Sequence, residues 1–136
     1  MGSLVDLARK MRPYIEKAAQ ALDDQDASNA PTLLRGMRYD GALIASGTRI
    51  NWRGTVKRAA VDLWDMEEND PDHAPELWED IGYRDGIRVI PETITAGMAF
   101  SEGELGWWGD VLYVSLIDNN VWTPDQYGAG WAKNNM

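Results

Sequence analysis

Seven tryptophans in 136 residues, against a single phenylalanine, are the side chains of this sequence with the most chemistry to offer. An indole that is exposed and held rigid covers the flat apolar C–H face of a sugar ring at little entropy cost, whereas a buried indole fills a core. Trp64 and Trp122 fall in loops ahead of Pro-Asp dipeptides, and Trp107 alternates with Trp108 so that it faces the other way along a strand. These three, with Tyr127, are the ligand-binding candidates, packing being the alternative role for each. Trp52, Trp78, Trp108 and Trp131 are assigned to the core.

Other chemistries find little support. The acidic run Asp65, Glu67, Glu68, Asp70 and Asp72 suggests calcium, but it lacks the turn glycine and the spaced terminal glutamate of a calcium loop and reads as a solvated acidic loop. As a glycosidase pair these carboxylates would need one acid of raised pKa facing a second at a set distance, and the run is apolar only near Trp64. His73 is the single histidine and there is no cysteine, so paired-histidine and thiolate metal sites, disulfides and cysteine nucleophiles are excluded together. Ser46, Ser101 and Ser115 lie in no nucleophile-elbow context, and no glycine-rich phosphate loop occurs. The expectation is a non-enzyme with no metal and no cofactor.

These residues must be positioned by a small scaffold. The length allows one compact unit or two very small modules. A net charge of −9, from 22 acidic and 13 basic residues, repels phosphate backbones, and the one basic concentration, Arg49, Arg53, Lys57 and Arg58, alternates across a strand, so no nucleic-acid partner is expected. No apolar run is long enough to insert in a membrane, and no secretory-signal layout opens the chain. From Met1 to Leu22 the residues Leu4, Leu7, Met11, Ile15, Ala18 and Leu22 form one helical apolar stripe, expected to break or kink near Arg12 ahead of Pro13. That stripe either docks on the rest of the chain, the favoured alternative, or pairs between subunits. Asp23-Asp24 either ends it or caps a short second helix through Asp26 to Leu34, with Pro31 limiting its regularity. From Tyr39 onward the pattern is β-type alternation punctuated by glycine. The expected class is α+β, mainly β: a helical segment (1–38), a first tryptophan-rich antiparallel β-module (39–81), and a connector strand with a second such module (82–136).

The two modules emerge from an internal repeat. Gly47 to Ala59 overlies Gly103 to Ser115 without a gap at an offset of 56, matching Trp52 with Trp108, and Ile44 with Phe100 upstream. Downstream, at an offset of 53, Pro71-Asp72 and Trp78 overlie Pro124-Asp125 and Trp131. Each copy reads as a hairpin or small meander. Gly54 and Gly109-Asp110 mark the turns; Ile50, Trp52 and Val56 are expected on one face of the first copy, and Trp108 with Leu112 or Tyr113 in the second. At about 40 residues each, the copies must bury large aromatics and lean on one another.

Ile44, Gly47, Ile50, Trp52, Gly54, Ala59, Pro71 and Trp78, with Phe100, Gly103, Trp108, Asp110, Tyr113, Ser115, Pro124 and Trp131, resemble the pattern of the chitin-binding carbohydrate-binding modules of family 5/12. The Trp122-Thr123-Pro124-Asp125 turn and the helix ending in Asp-Asp look more closely like the diverged versions found in phage and prophage proteins. The resemblance covers most of the chain but lacks the family's adjacent sugar-stacking tryptophans after Ala59 and Ser115. It implies a virion-associated protein, made in the host cytoplasm, that binds cell-surface polysaccharide of the chitin or peptidoglycan type. The alternative is a structural or assembly protein whose partners are other phage structural proteins. A homo-oligomer is expected in either case.

Overall fold

The computed structural model describes residues 3–134; Met1 and Gly2, where the expected helix begins, and Asn135 and Met136, at the end of the second module, lie outside them. Ser3 caps helix α1 (Leu4–Ala19), its hydroxyl accepting the Asp6 amide at 3.1 Å. Of the break or kink expected near Arg12, the break does not occur, and α1 continues through Pro13. The surrounding turn is largely exposed, so water can solvate the carbonyl that loses its partner, and Arg12 spans the site by bonding Glu16 at 3.1 Å and the Leu34 carbonyl at 2.9 Å. Asp23 caps α2 (Asp24–Asn29) through the Asp26 amide at 2.8 Å, and a 3-10 turn at Pro31–Leu33 follows. Of the expected stripe only its far end meets the body: Leu22 packs against the core and Ile15 is half-buried, while Leu4, Leu7, Met11 and Ala18 are exposed. The helix residue that is buried is Ala19, one position off the stripe, together with Ala27 of α2.

The protein is α+β and mainly β. Its strands are β1 (Leu43–Ile44), β2 (Arg49–Trp52), β3 (Thr55–Ala59), β4 (Leu63–Trp64), β5 (Trp78–Ile81), β6 (Tyr83–Arg84), β7 (Ile87–Arg88), β8 (Leu105–Trp108), β9 (Val111–Ser115) and β10 (Trp131–Lys133). Two three-stranded antiparallel sheets share one topology: β2-β3-β5 and β8-β9-β10. In the first sheet Ala59 lies opposite Trp78, and in the second Ser115 lies opposite Trp131. The Gly47 amide donates to the Ala59 carbonyl and the Gly103 amide to the Ser115 carbonyl, both at 2.8 Å. Ile44 on β1 pairs with Leu63 on β4, as Phe100 bridges Asn120. The two stretches fold alike around Trp52 and Trp108.

Turn chemistry differs between the copies. Arg53 and Gly54 both have positive φ, 53° and 86°, whereas in the second hairpin Gly109 at 62° is the only turn residue with positive φ, so glycine has moved to the position where a type II′ turn needs it. A two-residue turn also sets which side chains share a face. Ile50 pairs with Lys57, and Asn51 with Val56, so Val56 lies on the face opposite Ile50 and Trp52, correcting the expectation that all three align. Both faces of the first sheet are therefore covered. Ile50, Ala59 and Trp78 pack with Ile44 and Leu63, and Val56 and Ile81 pack beneath the helices and the connector. On that second face Arg49 and Arg58 both ion-pair with Asp24, at 3.3 and 2.8 Å, which fixes α2 on the sheet. In the second hairpin Tyr113, not Leu112, shares the face of Trp108.

Among the described residues, no strand lies beside the outer edge of β2. Instead, the Gln20 side chain donates to the Arg49 carbonyl at 2.7 Å and accepts from its amide at 3.0 Å, and the Asn51 amide bonds the Arg35 carbonyl at 2.8 Å. The residue that caps the C-terminus of α1 thus satisfies the edge as a strand would.

The modules differ most where Ile50 is replaced by Gly106. The connector hairpin β6-β7 leads into Ile90, whose amide bonds the Trp107 carbonyl at 2.8 Å and whose side chain occupies the room an isoleucine fills in the first copy. A β-carbon on Gly106 would lie 2.6 Å from Ile90 and 3.0 Å from the Phe100 ring. Gly106→Ala is therefore expected to destabilise the protein by about 1–3 kcal/mol through overpacking. Chemical denaturation monitored by tryptophan fluorescence measures the loss, and an unchanged midpoint would contradict this account of the notch.

Candidate functional site

The loop from Asn120 to Gly130 carries two of the candidate rings. Thr123 is buried and organises it: the Thr123 hydroxyl accepts from the Gln126 amide at 3.2 Å, and the Gln126 side-chain oxygen accepts from the Thr123 amide at 2.9 Å. This reciprocal pair is a capping box with proline following the cap, and Thr-Pro-Asp-Gln spells it in the sequence. Asn120, fully buried, accepts the Trp122 amide at 3.2 Å and donates to Ser115 and to the Gly130 carbonyl. The Trp131 indole N–H then donates to the Trp122 carbonyl at 2.7 Å, tying the loop to the last strand.

The outcome is a fixed aromatic corner. Trp122 is 45% and Tyr127 46% exposed, and their rings meet edge to face with centroids 5.8 Å apart. Hydrogen bonds on either side fix the loop backbone that carries these rings, which lowers the ordering cost of placing them on a ligand. A sugar's C–H face can stack on one ring while the other borders it, and the phenolic hydroxyl supplies a hydrogen-bonding edge.

The other two candidates lie elsewhere. Trp64 is 57% exposed on β4, opposite Leu43 of β1. Trp107 is half-buried, its indole N–H donates to the Arg84 carbonyl at 2.9 Å, and the Arg84 guanidinium lies 4.3 Å from its ring centre. A cation so placed occupies the ring face that a sugar would need. Neither Trp64 nor Trp107 forms a ring pair with Trp122 or Tyr127 among the described residues. Trp78 and Trp131 are buried, and Trp52 and Trp108 pack half-buried against the two apolar clusters. Arg84 is the participant that sequence reasoning missed, since no local pattern reports a cation brought over Trp107 by a separate hairpin.

The first module builds its loop with charge. Trp78 donates to the Asn69 carbonyl at 2.8 Å, matching Trp131 and Trp122, and buried Asp70 takes the place of Thr123. Asp70 accepts from the amides of Asp72 and His73, from the Tyr39 hydroxyl and from the His73 ring, the last at 2.8 Å. Asp65 is also buried, ion-paired with Arg35 and accepting the Arg38 and Tyr39 amides at 3.1 and 2.9 Å. The acidic run is thus divided between internal staples and exposed carboxylates, and no group of three or more potential metal ligands gathers among the described residues.

Burial alone would raise the Asp70 pKa, but hydrogen bonds from the His73 ring and amide and from Tyr39 outweigh it and hold the carboxyl below its ordinary value. His73 is raised above 6.5, chiefly by its hydrogen bond to Asp70 and by that carboxylate's charge. The histidine's contribution to stability is full below its unfolded value and lost as pH rises through its folded value; the aspartate's is lost as pH falls through its depressed value. The loop is therefore tightest between the two. Proton NMR titration of His73 is expected to give a pKa above 6.5 that returns toward that value in Asp70→Asn, and a wild-type value at or below 6.5 would refute the pairing.

No protein-family model matches the chain, and no curated protein matches it.

Proposed function

We propose that this protein is a non-catalytic binding module of a phage virion or tail, and that it holds cell-surface polysaccharide of the chitin or peptidoglycan type in the Trp122–Tyr127 corner. The observation that carries the reading is the corner itself: two half-exposed rings 5.8 Å apart, on a loop fixed from beneath by Thr123, Asn120 and Trp131. The phage setting rests on the resemblance of the two modules to diverged chitin-binding modules. A site of two rings binds weakly alone, so display in several copies suits it.

A structural or assembly role for the same fold is the second reading. It is favoured by the absence of the family's sugar-stacking pair after Ala59 and Ser115 and by the cation that covers Trp107.

Sedimentation with insoluble chitin and with peptidoglycan tests the first reading. Trp122→Ala and Tyr127→Ala are each expected to weaken binding about 2- to 12-fold, the range set by about 0.5–1.5 kcal/mol per aromatic contact, while Trp107→Ala leaves it unchanged. Binding that survives the Trp122/Tyr127 double substitution would exclude the corner as the site, and a wild-type protein that pellets with neither polymer would favour the assembly reading.

A further inference from the structure

The first three turns of α1 project an amphipathic face that nothing among the described residues covers. Leu4 is 85% exposed, and Leu7, Met11 and Tyr14 follow it at helical spacing, also exposed. A helix stable only through its buried face has no reason to stay helical with that face in water, so this one calls for a partner. Its charge narrows the choice. Arg9, Lys10, Arg12 and Lys17 against Asp6 and Glu16 give α1 an excess of two positive charges, while the whole chain carries −9, leaving −11 on the remainder. Arg12 and Glu16 are engaged with the body, but Arg9 and Lys10 form no ion pair among the described residues.

The body carries a surface of the complementary kind. On the β1-β4 ribbon, Leu43 and Trp64 are directly opposite one another, so their side chains share one face, and both are exposed. Exposed Met66 follows, then exposed Glu67 and Glu68 on a short 3-10 turn. Asp65, between Trp64 and Met66, is turned inward onto Arg35 and holds the ribbon rigid. Apolar side chains bordered by two carboxylates fit apolar side chains bordered by Arg9 and Lys10.

We propose that the α1 arm of one copy docks on the Leu43–Trp64–Met66 face of a second copy, with Arg9 and Lys10 against Glu67 and Glu68. Reciprocal exchange, arm to ribbon in both directions, closes a two-fold dimer. Direct pairing of two α1 arms is disfavoured, because it would bring like charges on Arg9 and Lys10 together at the seam. The assignment is independent of the sugar corner, since it uses neither Trp122 nor Tyr127.

Light scattering coupled to size exclusion on the full chain tests it at about 50 mM salt, where the screening length is about 14 Å, and at about 500 mM, where it falls to about 4 Å and exposed pairs are largely screened. The expected result is a mass twice the monomer at low salt that falls at high salt. Leu7→Asp is expected to be monomeric with unchanged circular dichroism, since the residue is exposed. Glu67→Lys with Glu68→Lys should weaken association at least about tenfold, and adding Arg9→Glu with Lys10→Glu to that variant should restore it. A monomer at every concentration overturns the proposal. So does a dimer lost in Leu7→Asp but untouched by the Glu67/Glu68 reversal, which assigns the arms to each other. Flotation of a monomeric protein with phosphatidylserine vesicles, abolished by Leu7→Asp, overturns it in favour of a membrane surface.

Discussion

One hydrogen bond, made twice, holds each module together. The last strand of each sheet begins at a buried tryptophan whose indole N–H reaches across to a carbonyl in the preceding loop, Asn69 in one case and Trp122 in the other. A sheet of three short strands cannot bury a core unaided, and its long loop would be free to wander. The indole supplies both remedies, since its body fills the module and its polar edge fixes the loop over it. The aromatic corner of the second module follows from that tie, because the carbonyl that receives the bond belongs to Trp122, whose own ring is half-exposed.

The two modules show how little a repeat needs to preserve. The glycine turn, the cap residue three before its partner, the tryptophan tie and the strand register are kept, while the chemistry filling them changes. A charged cap, Asp70 with His73, stands where the other copy has Thr123 with Gln126. Buried Leu63 stands where the other has buried Asn120. Polar replacements are tolerated in the second copy because each buried group has a partner: Asn120 donates to Ser115 and to the Gly130 carbonyl and accepts from Trp122.

Much of this was legible in the sequence, and the parts that were not share a cause. The helical stripe, the glycine turns and the paired Trp and Pro-Asp signals are local or periodic, so spacing alone reports them. The face of Val56 was misassigned because alternation runs along a strand, whereas a two-residue turn decides how it carries over to the next. Helix α1 does not break at Pro13, and beside it Arg12 reaches the carbonyl of Leu34, a partner far along the chain that local spacing does not report. For the same reason Trp107, an outward-facing residue by alternation, proves to be covered by Arg84 from another hairpin. The corner at Trp122 and Tyr127 is the opposite case, since its capping box lies within four consecutive residues.

The Gln20 side chain, standing in for a missing strand beside Arg49, divides the N-terminal helix into parts with different duties. Upstream of Arg12 the helix is a projection, and the fold owes it nothing. By Gln20 it has become scaffold: truncation past that residue would uncover the amide and carbonyl of Arg49 on a naked strand border, an invitation to intermolecular pairing. A shortened version of the protein that begins between Leu7 and Arg12 keeps its seal, whereas one that begins at Leu22 exchanges a soluble surface for a sticky one.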